Sequence, residues 1–354
     1  RRKNDLGRDP IGPLVLRIAL PSMLAQFVSV LYSIVDRMYI GHIPGVGDLA
    51  LAGVGVCGPV VTMIGSAASL IGVGGAPLMS MRMGEGETEQ ARRILANCFL
   101  MLCVLSVALM ALLAPIREPM LMLFGASEAT FPFAGAYFSA YLCGTPFALL
   151  STGMCQFIIC QGFAKKGMLS VIIGAVLNIV LDPVFIFALD MGVVGAALAT
   201  VLSQLASCIY VLTFLFGKKV PIPISFGGYR PRLMGRILLT GLTPFLIIAV
   251  DNVMIIAMNA VLQRYGGAEL GDRMIGCATI AQSFMLVVTM PLGGISGGTQ
   301  TILAFNYGAR HKERILSAQK FITLLCVAYV TLLFILARVA GSLFVRLFTT
   351  EPSL

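Results

Sequence analysis

Long apolar stretches separated by short polar ones dominate the chain from residue 13 to residue 340. Each stretch has about 20 residues or more, the length that an α-helix needs to cross roughly 30 Å of hydrocarbon. We therefore predict an all-α, polytopic membrane protein. Nine spans are predicted, at residues 13–39, 50–80, 91–114, 131–159, 168–188, 193–216, 237–263, 274–304 and 316–340.

Composition and charge support the same class. Hydrophobic residues make up 58% of the chain, charged residues make up 12%, and the mean hydropathy is +0.93. The net charge of +9 comes from Lys and Arg residues scattered singly or in pairs between apolar stretches, so it does not indicate nucleic-acid binding. Counted by alternate sides of the nine spans, 19 of the 25 basic residues fall on one side. This imbalance predicts a cytoplasmic N-terminus. We expect the protein to lie in the plasma membrane.

The chain also contains an internal repeat. Three landmarks recur at an offset of 223 or 224 residues: Pro21 and Pro244, Gly84 and Gly308, and Phe124 and Phe348. The second copy begins after six spans, so it enters the membrane in the same direction as the first. We predict a six-helix transmembrane lobe at residues 1–217, a cytoplasmic linker at 218–235 and a C-terminal lobe at 236–354.

The second lobe is shorter than the first. By the repeat arithmetic, Leu354 corresponds to Thr130, which precedes the fourth span of the first lobe. Either the chain is part of a protein of about twelve helices, of which nine are present, or it is an unusual nine-span protein. The first alternative is favoured because an incomplete bundle leaves a polar interior open to lipid.

One acid lies in the middle of the fifth span. Asn178 and Asp182 are four residues apart, so their side chains share a helix face, and Pro183 follows at once. Proline removes a backbone donor and predicts a bend beside the acid. An ionisable group at membrane depth is usually retained for transport or proton relay, although a polar pair can also hold helices together.

Other polar residues are weaker candidates for a cavity. Thr200 and Gln204 share a face of the sixth span, and Asp251 is an acid in the seventh span. Tyr137 either lines a cavity or anchors a span end at the membrane interface. Met285, in the eighth span, is one of 19 methionines in the chain, which suit either core filling or a surface that adapts to many ligands.

Several motifs together resemble the multidrug and toxic compound extrusion (MATE) family of transporters, most closely its bacterial branch. They are V-D-R-M-Y-I-G-H at 35–42, M-R-M-G-E-G-E-T-E-Q-A at 81–91, N-I-V-L-D-P-V-F-I-F at 178–187, G-V-V-G-A-A-L-A-T-V-L-S-Q at 192–204 and F-N-Y-G-A-R at 305–310. The resemblance implies twelve helices in two six-helix lobes, a central cavity for cationic amphiphiles, and export driven by an ion gradient.

The resemblance also implies an ion-linked polar cluster in the first lobe. Its cation-coupling positions resemble Asp36, Asn178, Asp182 and Thr200, and tyrosines resembling Tyr32 and Tyr137 line the same region. Two neighbouring carboxyls in a low-dielectric interior cannot both stay ionised comfortably, so they share a proton or hold a cation between them. Oxygen ligands serve H⁺ or Na⁺, and the sequence leaves that choice open.

These observations predict a secondary active multidrug exporter that exchanges a cation, H⁺ or Na⁺, for cationic amphipathic compounds. We expect membrane lipid and small cationic substrates as partners, no cofactor beyond the coupling ion, no nucleic acid, and a monomer. A flippase for lipids or lipid-linked oligosaccharides is the alternative, but its cavity needs basic residues to meet phosphate. An enzyme is not expected, because two loop histidines and scattered cysteines supply neither a nucleophile with its base nor a metal cluster.

Overall fold

The computed structural model describes residues 5–123, 128 and 130–348; it does not describe the side chains of residues 48, 49, 51, 52 and 55, most of those from 256 to 283, and those of 344–348. In that part of the chain, nine α-helices and one π-helix follow one another. They are α1 (Ile11–Gly41), α2 (Gly47–Gly84), α3 (Thr88–Leu123), α4 (Phe131–Cys143), α5 (Thr145–Cys160), α6 (Ala164–Pro183), the π-helix (Val184–Ala188), α7 (Val193–Phe216), α8 (Pro231–Gly308) and α9 (Lys312–Phe348). The all-α prediction is confirmed.

Most of these helices suit a membrane. Within the described residues, seven helical segments are long and apolar enough to cross a bilayer, and the bent pair α4 and α5 supplies an eighth. The chain is therefore a multi-pass membrane protein, as its hydropathy predicts.

The predicted fourth span, residues 131–159, is two helices rather than one. α4 and α5 meet at Gly144 with an angle of 57° between them. Pro146 lies in the first turn of α5, where its missing N–H does no harm, but it cannot continue the hydrogen-bond ladder of α4. At the bend, Gly144 faces Val201 of α7, and a Cβ atom there would approach the valine side chain to 2.6 Å. The bend therefore lets α7 pack closely against this corner.

The predicted seventh and eighth spans, 237–263 and 274–304, lie in one helical element, α8. Both ends of α8 contact α2: Gly241 lies against Leu70, and Gly308 lies against Met81. A straight helix rises 1.5 Å per residue, so residues 241 and 308 would be about 100 Å apart, whereas residues 70 and 81 of α2 are only about 16 Å apart. The chain of α8 must therefore reverse, and we name its two parts the first arm (231–255) and the second arm (281–308).

Two apolar clusters hold the helices together. The larger is built mainly by α2 to α5 and α7, and it buries residues such as Leu95, Phe138 and Phe157 completely. The smaller joins the start of α1 to the second arm and α9, through Ile18, Ile302 and their neighbours. The segment between α7 and α8 is irregular, and α8 begins at Pro231, so residues 231–235 of the predicted linker are helical.

Candidate functional site

Two carboxyls from different helices face each other inside the bundle. α1 packs along α6, which brings Asp36 of α1 within hydrogen-bonding range of Asp182 of α6. Asp182 is only 1% exposed, as is Asn178 one turn before it, and Asp36 is partly buried. We name these three residues the acid pocket.

The acid pocket contains oxygen atoms without donors. Four buried oxygens of the pocket lack a hydrogen-bond partner among the described residues: Asp36 Oδ1, both Asp182 Oδ atoms and Asn178 Oδ1. A buried polar atom left without a partner costs about 1–3 kcal/mol, and more when it is charged. Two facing carboxylates repel each other in a low-dielectric interior, so a shared proton or a bound cation stabilises this arrangement.

The helix that carries Asp182 changes its hydrogen bonding directly after the acid. α6 ends at Pro183, and the next turn is a π-helix in which the Leu189 N–H donates to the Val184 carbonyl, five residues back, at 2.9 Å. Proline cannot donate to the carbonyl four residues before it, so the regular ladder is interrupted there. Single π turns occur often at functional sites, and this one lies next to the acid pocket.

Three tyrosines stand beside the acid pocket. Tyr32 lies one turn before Asp36 on α1, and Tyr137 of α4 is close enough to Asp36 to interact with it electrostatically. The Tyr137 and Tyr141 rings are stacked, with centroids 6.3 Å apart. The Tyr141 hydroxyl also pairs with the side chain of Gln204 on α7, whose Oε1 atom is buried without a donor. The tyrosines thus connect α1, α4 and α7 around the acids.

Thr200 lies on α7, which packs against α6. Its side chain is buried, and its hydroxyl donates to the Ala196 carbonyl one turn earlier at 3.1 Å. The hydrogen atom of this hydroxyl is therefore committed to its own helix. The lone pairs on its oxygen remain the only part of Thr200 that a cation can use.

Two predicted cavity residues are exposed and lie on α8. Asp251 is in the first arm, and Met285 is 54% exposed in the second arm. The contacts described for the acid pocket involve neither of them. Their assignment to a cavity remains a prediction.

The donor set of the acid pocket fits a hard cation or a proton. Its free atoms are carboxylate and amide oxygens, which suit Na⁺, and no group of three His, Cys, Asp or Glu side chains lies together within the described residues. A cation here would rely on the two acids together with Asn178. The contribution of Thr200 remains a prediction. A proton would need only the two carboxyls.

Sequence reasoning missed three buried amide side chains. Asn97 and Asn306 are 0% exposed and Gln161 is 3% exposed. Asn97 interrupts an apolar stretch and Asn306 belongs to the F-N-Y-G-A-R motif, so each could have been singled out as a buried polar group that needs partners. Their long-range hydrogen-bond partners include backbone carbonyls at least 61 residues away in the sequence, and only the structure shows which ones.

Comparison with known proteins finds one matching family model and relatives that align with nearly the whole chain. The family model MatE matches residues 21–184 and 245–354. The multidrug export protein MepA of Staphylococcus haemolyticus is 22% identical over 342 residues, covering 96% of this chain and 74% of the relative. The FAD transporter of Shewanella oneidensis is 26% identical, with 97% and 75% of the two chains covered.

Solved structures share the fold. A multidrug resistance MATE family transporter of the MOP superfamily, described as outward-facing, superposes with a TM-score of 0.90. The two sequences are 23% identical, and the alignment covers 99% of this chain and 77% of the other.

Proposed function

This chain belongs to the MatE family, and from that premise we propose that it is a secondary active multidrug exporter, driven by a cation that binds in the acid pocket. The cargo is a cationic amphipathic compound that leaves the cell as H⁺ or Na⁺ enters. The protein lies in the plasma membrane with its N-terminus in the cytoplasm, the side that carries most of its basic residues. It needs no resident cofactor and works as a monomer in contact with lipid.

The observation that carries this proposal is the facing pair of carboxyls, Asp36 and Asp182, with buried oxygens that have no donor. A structural polar pair normally satisfies its acceptors. An unsatisfied acidic pair inside a membrane protein is better explained as a site that is filled and emptied during a cycle. Filling it changes the local charge by one unit.

The residues of the acid pocket divide the work. Asp36 and Asp182 share the incoming charge, Asn178 offers its Oδ1 atom, and Thr200 offers its hydroxyl oxygen. When the charge arrives, the repulsion between the carboxylates disappears and α1 and α6 are drawn together. The interrupted ladder at Pro183 lets this end of α6 move without breaking a regular helix.

The cargo meets the aromatic side of the same pocket. The rings of Tyr32 and Tyr137 provide flat apolar surface, and their hydroxyls and the Gln204 amide provide hydrogen-bonding groups. This combination suits amphipathic compounds. Acids nearby favour cationic cargo, because an unpaired positive charge gains from a carboxylate in a low-dielectric interior. Cargo and coupling ion therefore compete for the same negative charge, which is the basis of exchange.

The test is ethidium efflux from vesicles under separately imposed proton and sodium gradients. Asp182→Asn should lower gradient-driven efflux about a hundredfold, whereas Asp190→Asn should leave it unchanged. Asp190 is an exposed acid eight residues further on with a φ of 53°, a backbone conformation that asparagine accepts readily, so it is a matched control. Normal efflux by Asp182→Asn would refute the proposal, and loss of drive under only one gradient identifies the ion.

A second cargo class is tested in the same vesicles. The relative from Shewanella oneidensis is an FAD transporter, and FAD is an anion rather than a cation. Because the described pocket presents acids, we expect ethidium and not FAD to be exported. Export of FAD without ethidium would assign this chain to anionic cargo.

A further inference from the structure

The two repeats cross each other at one end of the bundle through backbone contact. This is the basic end, where α2 and α8 finish and α3 and α9 begin. Gly84 lies against the Phe305 carbonyl, and Gly308 lies against the Met81 carbonyl, each so close that a Cβ atom could not fit. The offset of 224 residues equates Gly84 with Gly308 and Met81 with Phe305. The crossing is therefore symmetric, as expected of a contact between equivalent helices.

A short segment from the first repeat is bound to the second repeat beside this crossing. Residues 5–10, which we name the N-terminal strap, precede α1 and lie over the end of α8 and the start of α9. Leu6 of the strap is 4% exposed, and Gly7 lies against the Phe305 ring. The strap is thus packed into the other repeat and not merely adjacent to it.

Two side chains of the second repeat hold the strap by its backbone. Asn306, which is completely buried, donates to the Leu6 carbonyl at 3.0 Å. Arg314 donates from one nitrogen to the carbonyls of Leu6 and Asp9, at 3.1 and 2.8 Å, and from another to Asn306 Oδ1 at 3.0 Å. A charged donor that serves three acceptors makes stronger hydrogen bonds than neutral pairs do.

The strap is also pre-shaped to be held. The Asp9 carboxylate forms an ion pair with the Arg17 guanidinium, with 3.1 Å between nitrogen and oxygen. The same carboxylate accepts a hydrogen bond from the Asp5 N–H at 3.0 Å. These bonds lie within the first repeat, so they keep the strap folded whether or not it is attached. Among the strap's hydrogen bonds in the described part of the chain, those from Asn306 and Arg314 cross between the repeats.

The linker is held in a similar way in the opposite direction. It leads into α8 of the second repeat, and Asn97 of the first repeat donates to the Gly228 carbonyl at 3.2 Å and accepts the Arg230 N–H at 3.1 Å. Gln161 makes the same paired bonds with the backbone of Ile222. The second repeat therefore binds the strap that leads into the first repeat, and the first repeat binds the linker that leads into the second. Both sets of hydrogen bonds are at the basic end.

We propose that Asn306 and Arg314 form a latch that keeps the two repeats closed at the basic end, and that the N-terminal strap leaves this latch when the cavity opens there. The inference rests on the proposed function only in needing a cavity that opens to either side in turn. Its physical basis is that Asn306 and Arg314 reach the strap only where the repeats meet, so their hydrogen bonds favour the closed arrangement over the open one.

The test measures access to Ser22, which is 7% exposed and faces Gly298 of the second arm beneath the latch. Ser22→Cys is introduced into the full chain after its 9 native cysteines are replaced, and an impermeant maleimide is applied from each side of the membrane in turn. Arg314→Ala and Asn306→Ala should each raise labelling from the basic-end side about tenfold, the effect expected from loss of a charge-assisted bond.

Arg82→Ala is the matched control. Arg82 is the repeat equivalent of Asn306 and lies at the same end, but its ion pairs join Glu85 and Glu87 within its own loop. It should label at the wild-type rate. Arg314→Lys retains the charge without the multiple donors and should fall between wild type and Arg314→Ala, which provides a reading if the alanine variant does not fold.

Wild-type labelling in folded Asn306→Ala and Arg314→Ala protein would overturn the latch, and so would a rise in Arg82→Ala equal to theirs. Labelling requires neither cargo nor a gradient. If the wild-type protein exports no ethidium but the latch variants still show the expected rise in labelling at Ser22→Cys, the proposed function is refuted and the latch is not.

Discussion

The acid pocket and the basic-end latch treat buried polar groups in opposite ways. At the latch, the amide of Asn306 and the guanidinium of Arg314 are matched to backbone carbonyls at 2.8–3.1 Å. In the acid pocket, four buried oxygens from Asp36, Asn178 and Asp182 have no donor. A satisfied network favours one arrangement, whereas an unsatisfied one is completed by something that arrives and leaves. The difference distinguishes the latch, which fixes the two repeats against each other, from the acid pocket, which binds and releases a cation.

The largest expected effect comes from removing charge in the acid pocket. Asp36→Asn and Asp182→Asn should each lower gradient-driven ethidium efflux about a hundredfold, since each leaves one carboxyl without the partner that shares its cation. The double variant should be no worse than either single variant, because residues that act as a unit are not additive. Independent, additive losses measured in vesicle efflux would show that the two acids do not form one site.

The next effect tests the crossing beside the latch. Gly308→Ala should destabilise the protein by about 1–3 kcal/mol, because the new methyl group meets the Met81 carbonyl in a packed interface. Gly297→Ala in the same arm has open space around its Cβ position and serves as the control. Thermal unfolding of the purified protein measures both. Equal melting temperatures for the two variants would mean that the repeats do not touch at residue 308.

A smaller effect is expected from the amide in the acid pocket. Asn178→Ala should raise the cation concentration for half-maximal efflux by about three- to tenfold, since one neutral oxygen is lost while both acids remain. Asn252→Ala is the control: its amide already bonds to the Ile248 carbonyl of its own helix at 2.9 Å. A larger shift from Asn252→Ala than from Asn178→Ala would place the cation site elsewhere.

The smallest effect concerns Thr200. Its hydroxyl already bonds to Ala196, so Thr200→Val removes only a weak oxygen ligand and should change sodium-driven efflux by about twofold. Thr200→Ser retains the oxygen and should behave as wild type. If the coupling ion is a proton, neither substitution should matter, so this pair of variants also discriminates between the two ions.

Sequence patterns predicted the helices well because hydrophobic length is a local property. They placed seven helical segments and the face shared by Asn178 and Asp182 without knowledge of neighbours. The bend at Gly144 was missed although Gly144 and Pro146 are local signals, because a proline within an apolar stretch can also kink a single continuous span. The sequence predicted two separate spans at 237–263 and 274–304. In the structure both lie in one helical element, α8, along which the chain reverses direction.

The site was harder to predict than the fold. Asp36 and Asp182 were paired by family resemblance, since nothing local says that α1 lies against α6. The latch was not anticipated at all: Asn306 finds its partner 300 residues away, and its partner is a backbone carbonyl that has no sequence signature. Hydrogen bonds to backbone therefore remain invisible to sequence patterns even where a buried asparagine signals that one is needed.

The most direct test of the central claim is to count the cations exchanged when cargo binds. Purified protein in weakly buffered solution is mixed with ethidium while proton release is recorded, and displacement of radioactive sodium is recorded in parallel. The account predicts about one cation released for each ethidium bound, either H⁺ or Na⁺, and none from the Asp36→Asn/Asp182→Asn double variant. Ethidium binding that releases the same cation from the double variant would contradict it.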